Sequence, residues 1–329
     1  MAGLREEMTV VVTTSATRSN PDTQLLRSVM HSFGLVDGLT ACRTIVVCDG
    51  FRPKDGEGAD SNKRGLLTAD RQQAYVEYIA TLQESTDWYC QGQPVEVMAL
   101  TEHAGFAGAV LKAVETVTTP FLMVVQHDWA FVRAVDVSGV LDVMSTTPRV
   151  RYCTFMAGKM RNYLQTVRSI PKLKIDLRPV APDHPVGERM YPLGILYDRT
   201  HVCRVEFWNE WIRTGIQRCR VRRAGARGGR GRSSGCVGNF PEDLLGREVR
   251  SVLEEGGQEA LMDQVGTSFL CDSDDAAVVH MDGRKFLSEE ELAARGWRGR
   301  ACRHQVVAAI AGVAEDGEPM QDVESGPGG

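Results

Sequence analysis

The chain alternates short β-branched apolar runs with segments whose apolar residues recur at helical spacing. Met8-Thr9-Val10-Val11-Val12-Thr13-Thr14 has the length and composition of a strand buried on both faces. Asn20-Pro21 reads as a helix N-cap with proline at the first helical position, and Leu25, Val29 and Phe33 share one face behind it. Thr44-Ile45-Val46-Val47-Cys48 is a second strand, closed by the turn signal Asp49-Gly50. Tyr75, Tyr78, Ile79 and Leu82 mark a helix, and Val95 to Leu100 a further strand. Phe106, Ala109, Val110, Ala113, Val114 and Val117 keep a helical period, and Pro120 ends it directly before the apolar run Phe121-Leu122-Met123-Val124-Val125. This β-α-β-α-β-α-β order predicts an α/β fold, a mostly parallel sheet flanked by helices on both faces.

The second half is less regular. Arg151 to Met156 and Pro192 to Tyr197 predict strands, and a helix resumes at Pro241 with Leu245, Val249 and Val252 on one face. Lys54 to Asn62 is polar and glycine-rich, a surface loop. Arg218 to Gly235 is arginine, glycine and serine with almost nothing to bury, and reads as a flexible loop. Residues 1–7 read as a flexible lead. Residues 313–329, acidic and glycine-rich from Glu315 on, read as a disordered tail.

Composition narrows the classes. A chain of 329 residues, 43% hydrophobic and 25% charged, suits one large globular α/β domain. A net charge of −5 argues against general nucleic-acid binding, and the arginine-rich run lacks aromatics for base stacking. No run approaches the roughly 20 apolar residues that span a bilayer. The N-terminus lacks the layout of a signal peptide. Nine cysteines without a Cys-x-x-Cys pair fit a reducing compartment. Together these features predict a cytoplasmic protein.

Candidate chemistry gathers at strand ends. Gln126-His127-Asp128 closes the most apolar run, and open α/β sheets bind ligands outside the carboxyl ends of their strands. A divalent cation that neutralises a diphosphate needs only one or two protein carboxylates, because phosphates and waters supply the other ligands. Asp128 is the candidate; the alternative is a strand-end aspartate satisfying turn N–H groups. His280, after Ala276-Ala277-Val278-Val279, is a candidate nitrogen ligand, although a lone histidine is more often structural. Glu242-Asp243 follows Pro241: a carboxylate there either takes a proton from an attacking hydroxyl or complements the helix dipole. Thr13, Thr14 and Ser15 at the first strand's exit, and Asp49 at the second's, either line a nucleotide pocket or form turns. His103 contacts ligand or caps the helix it precedes.

Taken in order, these residues resemble the GT-A class of nucleotide-sugar glycosyltransferases, over roughly residues 8–285. The resemblance rests on Val10–Thr14, Val46-Val47-Cys48-Asp49-Gly50, Gly105-Phe106-Ala107-Gly108-Ala109 and Phe121–Asp128. In that class an Asp-x-Asp motif binds Mn2+ or Mg2+ with the diphosphate. Gln126-His127-Asp128 matches it, with glutamine at the first acid. Glu242-Asp243 matches a second motif whose final acid is the base of inverting members, His280 the histidine that completes the metal shell, and Gly194 a glycine-bearing loop. The resemblance implies a single GT-A-like catalytic domain over residues 8–312. Its nucleotide-binding half is 8–130; its acceptor half, 131–312, contains the flexible loop 218–235.

The implied enzyme is an inverting, metal-dependent glycosyltransferase. It moves a sugar from a nucleoside-diphosphate sugar to a hydroxyl acceptor. Asp243 is the base and Glu242 its orienting partner; Asp128 and His280 hold the metal; Thr13, Thr14, Ser15, Asp49, Gln126 and His127 contact the nucleotide. One rival is a sugar nucleotidyltransferase, which wants a glycine-bearing loop after the first strand; Thr13-Thr14-Ser15-Ala16-Thr17-Arg18 has none. Another is a non-catalytic nucleotide-sugar or protein-binding scaffold, which the glutamine at position 126 favours. RNA binding through the arginine-rich loop is a third.

Overall fold

The computed structural model describes residues 3–54, 65–85, 95–157, 163–169, 177–218 and 240–281. The surface loop after Lys54, nearly all of the arginine-rich run and the acidic tail lie outside these residues. The strands of the first half are β1 (Met8–Thr14), β2 (Thr44–Cys48), β3 (Arg52–Pro53), β4 (Leu66–Leu67), β5 (Val95–Ala99) and β6 (Phe121–Gln126). After them come β7 (Trp129–Phe131), β8 (Tyr152–Phe155), β9 (Met190–Pro192), β10 (His201–Arg204), β11 (Thr267–Leu270) and β12 (Val278–His280). Helices are α1 (Leu4–Glu7), α2 (Gln24–His31), α3 (Ala69–Glu84), α4 (Gly105–Val114), α5 (Val137–Thr146) and α6 (Tyr163–Ser169). Residues 205–218 form α7, π-wound over Phe207–Ile212, and α8 (Pro241–Gln264) follows, interrupted at Gly257.

Eight strands form one sheet in the order β5-β2-β1-β6-β10-β8-β11-β9. The first four run parallel to one another; β10 is antiparallel to both its neighbours, β8 and β11 are parallel, and β9 is antiparallel at the edge. This is the mostly parallel α/β sheet that the alternation of apolar runs predicts. Every residue of β1 and β2 is buried, and successive side chains point to opposite faces, so both faces of these strands are covered. Helix α4 packs on β1 and β2, and α2 lies against β7. One buried apolar cluster runs from Leu4 to Val278 through both halves. No helix among the described residues is long and apolar enough to cross a membrane.

Several elements differ from their sequence reading. Helix α2 begins at Gln24 and not at Pro21, because the preceding polar side chains are spent on turns. Asn20 Oδ1 accepts the Thr17 N–H at 2.6 Å and Asp22 Oδ1 the Gln24 N–H at 2.6 Å. Helix α4 stops at Val114, short of Val117. The apolar run from Pro192 to Tyr197 is strand only at its first residue. Leu193 and Leu196 are buried as a loop that runs under α8, where Gly194 meets Leu253 side chain to backbone. Beneath α8 the buried residue of the last predicted turn is Leu253 and not Val252. Residues 1–7 read as a flexible lead, yet Leu4–Glu7 is a helical turn whose Leu4 is buried. Among the described cysteines, Cys42, Cys48, Cys153 and Cys203 are buried. Burial pushes the Cys48 and Cys153 thiols up to about 12, so they behave as small core residues.

Candidate functional site at the exit of the central strands

Strand β6 leaves the sheet beside β1: Gln126 pairs with Thr13, and the His127 N–H donates to the Thr13 carbonyl at 2.9 Å. The chain then turns at His127-Asp128 and enters β7, which pairs antiparallel with β12. That ribbon sets His280 opposite Trp129, and the Met281 N–H donates to the Asp128 carbonyl at 2.7 Å. Two residues 152 positions apart thereby meet, with His280 Nε2 3.1 Å from Asp128 Oδ2. The Trp129 ring lies against the His280 imidazole, with centroids 5.1 Å apart. Asp128 is buried, whereas the His280 side chain reaches solvent.

Around this pair the exit of β1 is closely tied. His127 Nδ1 lies 2.9 Å from Thr14 Oγ1 and accepts the Ser15 N–H at 3.2 Å. A backbone N–H only donates, so Nδ1 is the unprotonated nitrogen of this imidazole. Burial holds the His127 pKa below its ordinary 6.5, with Asp128 opposing the shift and His280 adding to it. His127 is therefore neutral at pH 7. Thr13 Oγ1 faces the Val125 carbonyl at 3.5 Å, and Thr14 Oγ1 is also 3.1 Å from Tyr78 Oη.

Asp49 sits at the neighbouring exit of β2. Its Oδ1 accepts the Ala104 N–H at 2.8 Å and its Oδ2 the Gly105 N–H at 3.1 Å, so it caps α4 from outside that helix. His103 Nδ1 lies 2.9 Å from Asp49 Oδ2. The Asp49 carboxylate beside it raises the His103 pKa above 6.5, partly offset by burial. The carboxylate is thus held by α4 and His103, one strand away from the Thr13–Ser15 exit.

On the other side of β6 lies a cluster that sequence reasoning missed. Because β10 runs antiparallel, its start lies beside the end of β6, with His201 opposite Val124. The buried residues Asp198, Arg199 and Thr200 therefore border Gln126. Gln126 Nε2 donates to the Asp198 carbonyl at 2.9 Å, and Asp198 Oδ1 accepts the Glu242 N–H at the start of α8, also at 2.9 Å. Glu242 itself is exposed; the Asp243 side chain lies outside the described residues. Arg199 Nε donates to Thr154 Oγ1 at 3.2 Å, and its guanidinium lies 3.9 Å over the Tyr197 ring. Burial lowers the Arg199 pKa, opposed by Tyr152, Tyr197 and Glu242. His201 donates from Nδ1 to the Arg199 carbonyl at 2.7 Å, and burial pushes its pKa down to about 4. The available signal was Tyr197-Asp198-Arg199-Thr200-His201, four polar residues in a row between apolar segments.

The structure thus brings Asp128 and His280 together, with His127, Thr14 and Ser15 joined beside them. It links Gln126 to Glu242 through Asp198 and holds Asp49 apart on α4. No group of three or more His, Cys, Asp and Glu side chains able to hold a metal occurs among the described residues. A carboxylate oxygen and an imidazole nitrogen 3.1 Å apart are nevertheless a donor pair that one divalent cation can take up together. Such a pair fits a cation whose remaining ligands come from phosphate and water. Nearby, Arg133 grips both carboxylate oxygens of Asp272, at 2.9 and 2.6 Å, and anchors the segment that leads into β12.

No protein family and no curated protein matches this chain. Among solved structures, S. aureus TarS aligns with a TM-score of 0.33 and 12% identity, covering 62% of this chain and 29% of that one. A second TarS structure aligns with a TM-score of 0.35 and 12% identity, covering 81% of this chain and 58% of that one. CMP:2-keto-3-deoxy-manno-octonic acid synthetase complexed with CTP aligns with a TM-score of 0.33 and 10% identity, over 67% of this chain and 86% of that one. HddC from Yersinia pseudotuberculosis aligns with a TM-score of 0.34 and 10% identity, over 62% of this chain and 79% of that one. This chain spans less than two thirds of either TarS structure. Likenesses this distant decide neither its chemistry nor its substrate.

Proposed function

We propose that this chain is an inverting glycosyltransferase that moves a sugar from a nucleoside-diphosphate donor to a hydroxyl acceptor. The observation that carries the reading is the Asp128–His280 pair, 3.1 Å apart at the carboxyl end of the central parallel strand. Asp128 and His280 would hold a divalent cation, Mn2+ or Mg2+, which when bound neutralises the charge of a diphosphate. Thr13, Thr14, Ser15 and His127 line the nucleotide side, with His127 neutral and offering Nε2–H as a donor, whereas the Gln126 amide is committed to the Asp198 carbonyl. Asp49 bounds that side through the start of α4.

The acid pair on the first turn of α8 supplies the base. Asp243, oriented by Glu242, takes the proton from the acceptor hydroxyl as its oxygen attacks the anomeric carbon. The bond from that carbon to the diphosphate oxygen breaks on the opposite face and its electron pair leaves with the diphosphate, which inverts the anomeric centre. Support for this placement is the Gln126–Asp198–Glu242 connection between the two motifs.

Thermal unfolding with a panel of nucleoside diphosphates and nucleotide sugars, each with Mn2+, Mg2+ or EDTA, tests the reading. One nucleotide raises the melting temperature only when a cation is present, equivalent to about 2.7 kcal/mol at a hundredfold excess over Kd. Asp128→Ala abolishes that rise, and the responsive nucleotide sugar transfers its sugar. A rise unaffected by EDTA and by Asp128→Ala, or none with any nucleotide, sinks the assignment. Pyrophosphate release from a nucleoside triphosphate and a sugar phosphate would instead identify a nucleotidyltransferase.

A further inference from the structure

Helix α8 begins without the usual cap. Its N-cap residue is Phe240, which makes no side-chain capping bond, and Pro241 has no N–H to satisfy. Glu242 is therefore the first residue of the helix with an N–H to place, and the acceptor comes from 44 positions upstream, Asp198 Oδ1. Asp198 is buried, and its carbonyl faces the other way along the same edge, to Gln126. One residue thus joins the end of β6 to the start of α8, through its carboxylate at one end and its carbonyl at the other.

The chemistry of this link fixes what stands at position 126. A carbonyl oxygen only accepts, so Gln126 must present its amide nitrogen to Asp198, and the amide orientation is not arbitrary. An ionised aspartate or glutamate would set oxygen against oxygen and leave the Asp198 carbonyl without this donor. An ionised acid at position 126 and this link are mutually exclusive.

We propose that Gln126 and Asp198 form a positioning relay that sets the distance between the Asp128–His280 pair and the Glu242-Asp243 turn. On this reading glutamine is required at position 126 for its N–H and is not a depleted metal ligand. Neither Gln126 nor Asp198 acts on the reacting atoms through this link; both act through the placement of α8. The consequence for turnover rests on the transferase reading above, whereas the consequence for the ligand-free protein does not.

Four variants of the full chain test the relay: Gln126→Glu, Gln126→Asp, Asp198→Asn and Asp198→Ala. Ligand-free melting temperature falls by about 2–6 °C in Gln126→Glu and Gln126→Asp at pH 7. In turnover, Gln126→Glu loses about tenfold in kcat with KM for the donor little changed, and the Mn2+-dependent thermal shift by the nucleotide persists. Asp198→Ala loses kcat similarly, and Asp198→Asn, whose amide oxygen still accepts the Glu242 N–H, recovers most of it.

A stronger Mn2+-dependent shift or faster turnover in Gln126→Asp or Gln126→Glu overturns the relay and makes position 126 a metal site weakened by substitution. Unchanged ligand-free stability in both acid variants overturns it as well. If the parent protein shows no cation-dependent shift with any nucleotide, the transferase reading fails instead. The ligand-free melting temperatures then still decide the relay.

Discussion

The two halves of the sheet are built differently. In β5-β2-β1-β6 the strands are five to seven residues long, lie parallel, and are joined through helices close in sequence. In β10-β8-β11-β9 the strands are three or four residues long and mixed in direction, and Tyr152 pairs with Thr267 from far along the chain. Short strands offer few ladder hydrogen bonds, and this half adds buried side-chain bonds to backbone carbonyls. Thr154 Oγ1 donates to Thr200 at 2.9 Å, Thr267 Oγ1 to Leu193 at 2.7 Å, Ser268 Oγ to Tyr152 at 2.8 Å, and Tyr152 Oη to Tyr197 at 2.7 Å. The parallel half has hydroxyl bonds of its own, such as Tyr75 Oη to the Asp49 carbonyl at 2.9 Å, but adds them to longer ladders; in the mixed half they supplement strands of three or four residues.

The sharpest way to break this contrast is a buried charge. Val124→Asp, in the middle of β6 with no exposure, removes more than about 4 kcal/mol and abolishes cooperative unfolding. Val279→Asp, on the partly buried ribbon strand β12, costs about 1 kcal/mol in the same denaturant titration. Equal losses at the two positions would mean that the central strands are no more critical than the ribbon.

Acid titration separates by sign His201, whose pKa burial lowers as it does that of His127, from His103. The folded His201 pKa lies near 4, below the ordinary 6.5, so its contribution to stability is complete above about pH 6.5 and is lost as pH falls toward 4. The loss amounts to about 3 kcal/mol, and His201→Gln flattens that acid limb. In the parallel half His103 is shifted upward, so its contribution is complete below pH 6.5 and disappears as pH rises through its folded pKa. His103→Asn removes that slope, the smaller of the two because burial opposes the effect of the Asp49 carboxylate. An acid limb that survives His201→Gln would show that other groups carry it.

The smallest effect concerns the hydroxyls. Thr267→Val deletes the donor to the Leu193 carbonyl and costs about 1 kcal/mol by chemical denaturation. Thr44→Val, whose hydroxyl bonds only the Cys42 carbonyl two residues away at 3.2 Å, costs a few tenths. If the order were reversed, buried side-chain bonds would not be what distinguishes the mixed half.

Legibility follows the same division. Runs such as Val10-Val11-Val12 and Phe121–Val125 declare buried strands because a strand covered on both faces has no polar side to hide. The run Leu193–Tyr197 looks the same in one dimension, yet it is a loop packed under α8. Apolar character reports burial, not the backbone conformation that achieves it. Strand β10, with Arg199 and His201 about its start, has no apolar signature long enough to stand out. In the site, Asp128 and His280 were legible as separate candidates by residue type and strand-end position. Asp198 was not, because its importance lies in its partners.

The sequence alone determined the α/β class, the central strands and the chemistry available at their exits, since these depend on composition and periodicity within a single element. Which residues meet was decided by tertiary structure. The β7–β12 ribbon carries His280 across 152 positions to Asp128, and the antiparallel insertion of β10 places Asp198 between Gln126 and Glu242. Contacts of that kind are set by register and strand direction, which emerge only when distant segments compete for the same sheet edge.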